Sequence, residues 1–194
     1  MKVRPKAIFF AFAAMILAGY SFYRLVAASR GVPQEFLDAR GRGALIAQSI
    51  VSMSNQAVGD LEKVNQLDRS RDYAAALDLT VQIANRSDEV RQKAADLAVE
   101  LEKMTSGLSS VKSQEAKQAG LEAISSRLAL IAHLLNYSSD LSDLANVLRA
   151  KFTGGVSAQS VTAVIEQINS EVNAINNFNR QADTSMQRFD NLTK

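Results

Sequence analysis

The chain has no cysteine and no tryptophan, a single histidine, two prolines and few aromatics among its 194 residues. Without cysteine there is no disulfide, no thiolate nucleophile, no thiolate-ligated metal and no lipoprotein acylation site. With His133 as the sole histidine, neither a His-Glu-x-x-His zinc motif nor the paired Glu-x-x-His motifs of di-iron bundles can be assembled. Pro5 and Pro33 are followed by 161 positions without proline. Together with abundant Ala, Leu, Gln, Glu, Lys and Arg, this predicts an almost wholly helical body. No glycine-rich phosphate loop is present either, since Gly154-Gly155 lacks a following lysine and a strand before it.

Charge is unevenly distributed. Of the 22 Lys and Arg residues, Lys2, Arg4, Lys6, Arg24 and Arg30 lie in residues 1–30, which hold no acid. That leaves 17 basic against 20 acidic residues, so the remainder carries about −3. Its charges are interspersed, which gives no electrostatic footprint for a phosphate backbone and argues against nucleic acid as a partner.

What the N-terminus does have is apolar length. From Ala7 to Tyr23 seventeen residues pass without a charge. Extended through Ser29, the stretch is long enough as a helix for about 30 Å of hydrocarbon. Ala7, Phe9, Phe10, Phe12, Ile16, Leu17, Phe22 and Leu25 supply the apolar surface, with Tyr20 and Tyr23 where an interfacial aromatic belt belongs. Lys2, Arg4 and Lys6 in front predict a cytoplasmic N-terminus and an extracytoplasmic body. The expectation is a retained anchor in the lipid bilayer through residues 7–29. The alternative is a cleaved signal, for which Val26-Ala27-Ala28 and Ala27-Ala28-Ser29 offer small-residue sites.

Residues 31–43 read as a juxtamembrane linker or helix start. Pro33 suits the first turn of a helix continuing through Glu35 to Arg40, but Gly41 and Gly43 each cost about 1 kcal/mol against Ala inside a helix, so a restart near Ala44 is the alternative. Arg30, Arg40 and Arg42 read as a solvated basic linker, with anionic headgroups as the alternative contact.

Residues 44–194 form the predicted bundle. Apolar residues recur at heptad spacing from Ile46 to Leu67 through Ile50, Met53, Ala57, Leu61 and Val64. They recur again through Val90, Ala94, Leu97, Leu101, Met104, Leu108 and Val111, and from Val161 to Phe189 with Asn179 on the stripe. A stripe with a period of 3.5 keeps one side of a helix against a partner helix. The third segment carries two stripes, Leu121-Ile124-Leu128-Ile131-Leu135 and Leu130-Leu134-Tyr137-Leu141-Leu144-Leu148. They hand over at the polar knot Asn136-Tyr137-Ser138-Ser139, a bend or a passage between two neighbours. Turn signals divide the body into segments 33–69, 71–106, 111–152 and 157–191. The predicted fold is therefore all-α: an N-terminal transmembrane helix followed by an elongated, coiled-coil-like four-helix bundle, up-down-up-down. A faint tetratricopeptide pattern from Arg71 to Leu77, with a second short helix opening at Asp88-Glu89, has no copy at a 34-residue offset.

No catalytic or cofactor-binding constellation emerges. His133 reads as a surface or boundary residue, out of reach of Asp140 and Asp143 for a triad. The least ordinary stretch is Ile168 to Arg180, where asparagine is dense despite its modest helix propensity. Asn179 on the apolar stripe reads as register-setting, while Asn169, Asn173, Asn176 and Asn177 are a candidate partner surface. The resulting expectation is a non-enzymatic, membrane-anchored scaffold, spacer or accessory subunit with a protein partner, open to homo-oligomerisation because the stripes can also pair between chains. A ligand-sensing bundle working with a membrane partner and a secreted helical adaptor are the alternatives.

Overall fold

The structure, a computed structural model, describes residues 31–194. The expected anchor at residues 7–29 lies outside the described residues. Among the described residues no helix is long and apolar enough to cross a membrane.

Four helices account for almost all of it: α1 (Gln34–Ser70), α2 (Tyr73–Leu108), α3 (Gln114–Phe152) and α4 (Val161–Leu192). Their lengths of 37, 36, 39 and 32 residues correspond to rods of about 48–58 Å. Short connections force neighbours to run antiparallel, as the cross-links along them confirm: Arg42 pairs with Glu100 and Arg86 with Asp60, on successive levels of α1 and α2. The architecture is the expected up-down-up-down bundle. One end carries the start of α1, the α2–α3 turn and the end of α4, and is called proximal here. The opposite, distal end carries the α1–α2 and α3–α4 turns.

Local chemistry explains the boundaries. Asp72, Ser113 and Ser160 are N-caps whose side-chain oxygens accept the backbone N–H of Ala75, Ala116 and Ala163 at 3.1–3.2 Å. Ser160 sets the start of α4 at Val161, later than the expected segment start at 157. Helix α1 ends with Arg71 in the left-handed region at φ 62°, and the Asp72 N–H reaches back to the Leu67 carbonyl. Helix α3 ends at Gly154, φ 73°, a conformation glycine adopts without steric cost.

Three readings are corrected. Helix α1 begins at Gln34 and runs unbroken through Gly41 and Gly43. Phe36 and Ala39 in that stretch are fully buried, so packing outweighs the glycine cost. Helix α2 is continuous through Asp88-Glu89, which rules out a second short helix opening there. In α3 the knot does not interrupt the helix, which is continuous through it, and Tyr137 and Ser138 turn inward and are fully buried.

The core follows the expected stripe in α2, buried at every stripe position from Val90 to Val111, and in α4 from Ile168 to Phe189, whereas Val161 and Ile165 are only partly buried and Val164 takes the inward place. In α3 the second stripe, from Leu130 to Leu148, is buried throughout. The first is not a core stripe. Ile124 and Ile131 face inward, but Leu121, Leu128 and Leu135 are 50%, 49% and 39% exposed. The inward positions at the start of α3 belong to Ala116, Ala119, Gly120, Ala123 and Arg127.

Candidate functional site

The proximal end holds the densest arrangement of functional groups. Arg40 of α1 donates through both terminal nitrogens to the Asp190 carboxylate of α4, at 2.7 and 2.9 Å. The side chains are only 7% and 8% exposed. A bidentate fork of this kind is the geometry in which a buried pair compensates best for lost water. Two turns deeper, Arg127 of α3 meets Asp183 of α4 at 3.2 Å, and Asp183 also accepts the Asn179 amide at 3.1 Å. Burial pushes the Arg127 guanidinium down to about 10, against the pull of Asp183 and with the nearby Arg40 charge adding to the depression. Burial likewise pushes the Asp183 carboxyl up in spite of Arg127, Asn179 and Arg40. Desolvation therefore outweighs pairing for both partners.

Glu100 of α2 completes this end. Burial acts to raise its carboxyl, but hydrogen bonds from Lys103 at 2.7 Å and Arg42 at 2.9 Å hold it below the ordinary range. Around these charges the rings of Phe36 and Phe189 sit 5.0 Å apart. A Cβ placed on Gly107 would lie 2.9 Å from the Phe36 Cβ, and one on Gly120 would lie 2.7 Å from Leu108 Cδ2. Glycine at both positions is what lets the helices close.

Arg40 is thus a buried helix residue rather than part of a solvated linker, and Arg42, half-exposed, is tied to Glu100 from within α1. Their positions were missed because their partners lie 150 and 58 residues away. Arg127 did leave a signal: stepping back from Leu130 by three and four residues lands on Arg127, Ala123, Gly120 and Ala116, all buried. Asn179 sits on the buried stripe as expected, but its partner is a carboxylate one turn along the same helix rather than another amide.

The middle of the bundle carries two neutral polar contacts. The Tyr137 phenol faces the Ser54 hydroxyl across α1 and α3, and burial pushes the phenol well above its ordinary range. Ser138 donates to the Ser87 carbonyl at 2.7 Å, and Ser87 returns the contact to Ser138. On the outer edge of α3, His133 Nδ1 lies 2.7 Å from Glu171 Oε2, and the imidazole stacks on Phe178 at 5.3 Å. His133 is the boundary residue expected, tied to α4. Partial burial, with Glu171 and Asp143 nearby, pushes Asp140 up to about 6. This cluster can take up a proton. Among the described residues no group of three or more acids and histidine is disposed to hold a metal ion.

The outer faces are simpler. Asn173 and Asn177 are exposed on α4, and Asn169 and Asn176 are half-buried. Between α3 and α4 runs an open groove of about 750 Å³, bounded by Leu121 and Ser125 on one side and Arg180 and Thr184 on the other.

No family model matches this chain, and no curated protein or solved structure matches it.

Proposed function

We propose that the chain is a non-enzymatic interaction protein, held at a membrane by residues 7–29 and presenting its bundle on the extracytoplasmic side as a scaffold, spacer or accessory subunit. The observation that carries this reading is the order of parts along the chain. Three basic residues precede seventeen uncharged ones, and at Gln34 the first of four mutually buried helices begins. Support also comes from how the polar side chains are used. The buried Arg40, Asp190, Glu100 and Asp183 are engaged in cross-helix or same-helix pairing, which suits a rigid body built to be gripped from outside.

Alkaline carbonate extraction of cells making the full chain tests the reading, with protease added outside. The expected result is a pelleted chain whose bundle is cut only from the extracytoplasmic side. A chain that enters the supernatant without detergent contradicts it. A mature N-terminus at Ser29 or Arg30 selects the secreted form instead.

A further inference from the structure

The outward face of α3 between residues 118 and 139 has a pattern of its own. Leu121, Leu128 and Leu135 stand exposed at seven-residue intervals. Between and beyond them, Ser125, Ala132 and Ser139 face the same way and are also exposed. The steps alternate by four and three, the spacing of a helix seam that faces another helix. The bundle itself leaves this seam uncovered. Along about 33 Å of helix the charged side chains lie off the seam line: Glu122 flanks Leu121 and pairs with Arg188, Arg127 points inward to Asp183, and His133 lies to the side against Glu171.

We infer that this face is a docking surface for a second copy of the same chain, with the two α3 helices antiparallel about a two-fold axis at residue 130. In that register Leu128 lies against Ala132 of the second copy, Leu121 against Ser139 and Leu135 against Ser125. Every layer then pairs one large with one small side chain, so layer volumes are equal and the helices can approach closely. A parallel pairing would stack leucine on leucine and serine or alanine on its own kind, leaving voids at alternate layers.

Charge agrees with the antiparallel choice. Beside the Leu121 end of the seam lie Arg180, which lines the groove, and Arg188, which sits 3.4 Å from Glu122. Beside the Ser139 end, Asp140, Asp143 and Glu171 crowd together. The two-fold axis brings the arginine end of each copy against the carboxylate end of the other. A two-fold interface must be self-complementary, and this face is so in both volume and charge. Being one helix wide, it suits a micromolar dimer rather than an obligate one.

This inference deepens the interaction reading by naming one partner and does not depend on the anchor. Fractionation can succeed while dimerisation fails, and the reverse. It adds one consequence: the proximal ends of the two copies point in opposite directions, so membrane-held copies would pair across facing bilayers.

Disulfide cross-linking of the full chain in mild detergent tests the inference, because the native chain contributes no thiol. Differently tagged L128C and A132C chains, mixed and mildly oxidised, are expected to join to each other, as are L121C with S139C. L128C alone should not join to itself. The triple variant L121R/L128R/L135R is expected to weaken association about a hundredfold or more, with circular dichroism and Tm unchanged because the three positions are exposed. Self-joining of L128C would indicate a parallel pair and overturn the inference. So would a monomer at concentrations well above the micromolar range, a dimer indifferent to the three arginines, or association that appears only with added lipid or another protein.

Discussion

The two ends of the bundle are built differently. At the proximal end α1 and α4 are joined by a bidentate ion pair and by two rings in tilted contact, with Gly107 and Gly120 letting the helices close. At the distal end the cross-helix contacts are Tyr73 on Phe152, with ring centres 5.8 Å apart, and Lys151 to Asp68, both partly exposed. The α3–α4 connection beyond them is exposed throughout, with Val156 at 98%. The seam between α1 and α4 makes the contrast sharper. No Cα of α1 comes within 8 Å of a Cα of α4, so that side of the bundle is closed by side chains reaching across, above all Arg40 to Asp190. The bundle is stapled where the N-terminal segment joins it and is looser at the far tip.

Removing the staple should therefore have the largest effect. Asp190→Ala leaves Arg40 buried and unpaired beside a second buried cation, Arg127. It is expected to cost about 3–5 kcal/mol in urea denaturation, and Phe36→Ala about the same through the cavity it leaves. The double variant Arg40→Met/Asp190→Leu should recover most of the ion-pair loss, because it removes both charges together. Next in size is Gly107→Ala. Its Cβ would press on the Phe36 Cβ and backbone, which a flexible side chain cannot relieve, and about 1–3 kcal/mol is expected.

Equivalent changes at the distal end should have little effect, and one should help. Arg71→Gly relieves a non-glycine residue in the left-handed region and is expected to stabilise by about 1 kcal/mol. Lys151→Ala removes an ion pair with an exposed partner and should cost less than about 1 kcal/mol.

The smallest expected effect depends on pH. Asp140 has its pKa raised to about 6 from an ordinary 3.8, so the folded chain binds its proton more readily than the unfolded chain. Its carboxylate thus opposes folding at pH 7. The penalty fades as pH falls through about 6 and is gone below the unfolded value. Asp140→Asn should raise Tm at pH 7, with the gain shrinking towards pH 4.

Most of the fold was legible because helix stops and heptad stripes are short-range signals. The gap between the segments 111–152 and 157–191 marked the end of α3, and the stripes of α2 and α4 named most of their buried positions. The first half of α3 was misread for a physical reason. Its core contact is made by Ala116, Ala119, Gly120 and Ala123, residues small enough for close helix approach but weak as hydrophobic markers. The conspicuous leucines beside them point outward. The staple was illegible because an arginine near a helix start looks solvated until its carboxylate, 150 residues away, is brought to it by the fold. The asparagine-rich stretch had the opposite fate. Only Asn179 reached the core, and the others divide between exposed and half-buried positions.

The asymmetry between the ends can be measured directly by native-state hydrogen exchange on the full chain. The amides of Ala39–Gly43 and Ala182–Phe189 should open only with global unfolding, and those flanking the distal turns, near Tyr73 and Phe152, should open several times more readily. Equal protection at both ends, or slower exchange at the distal end, would contradict it.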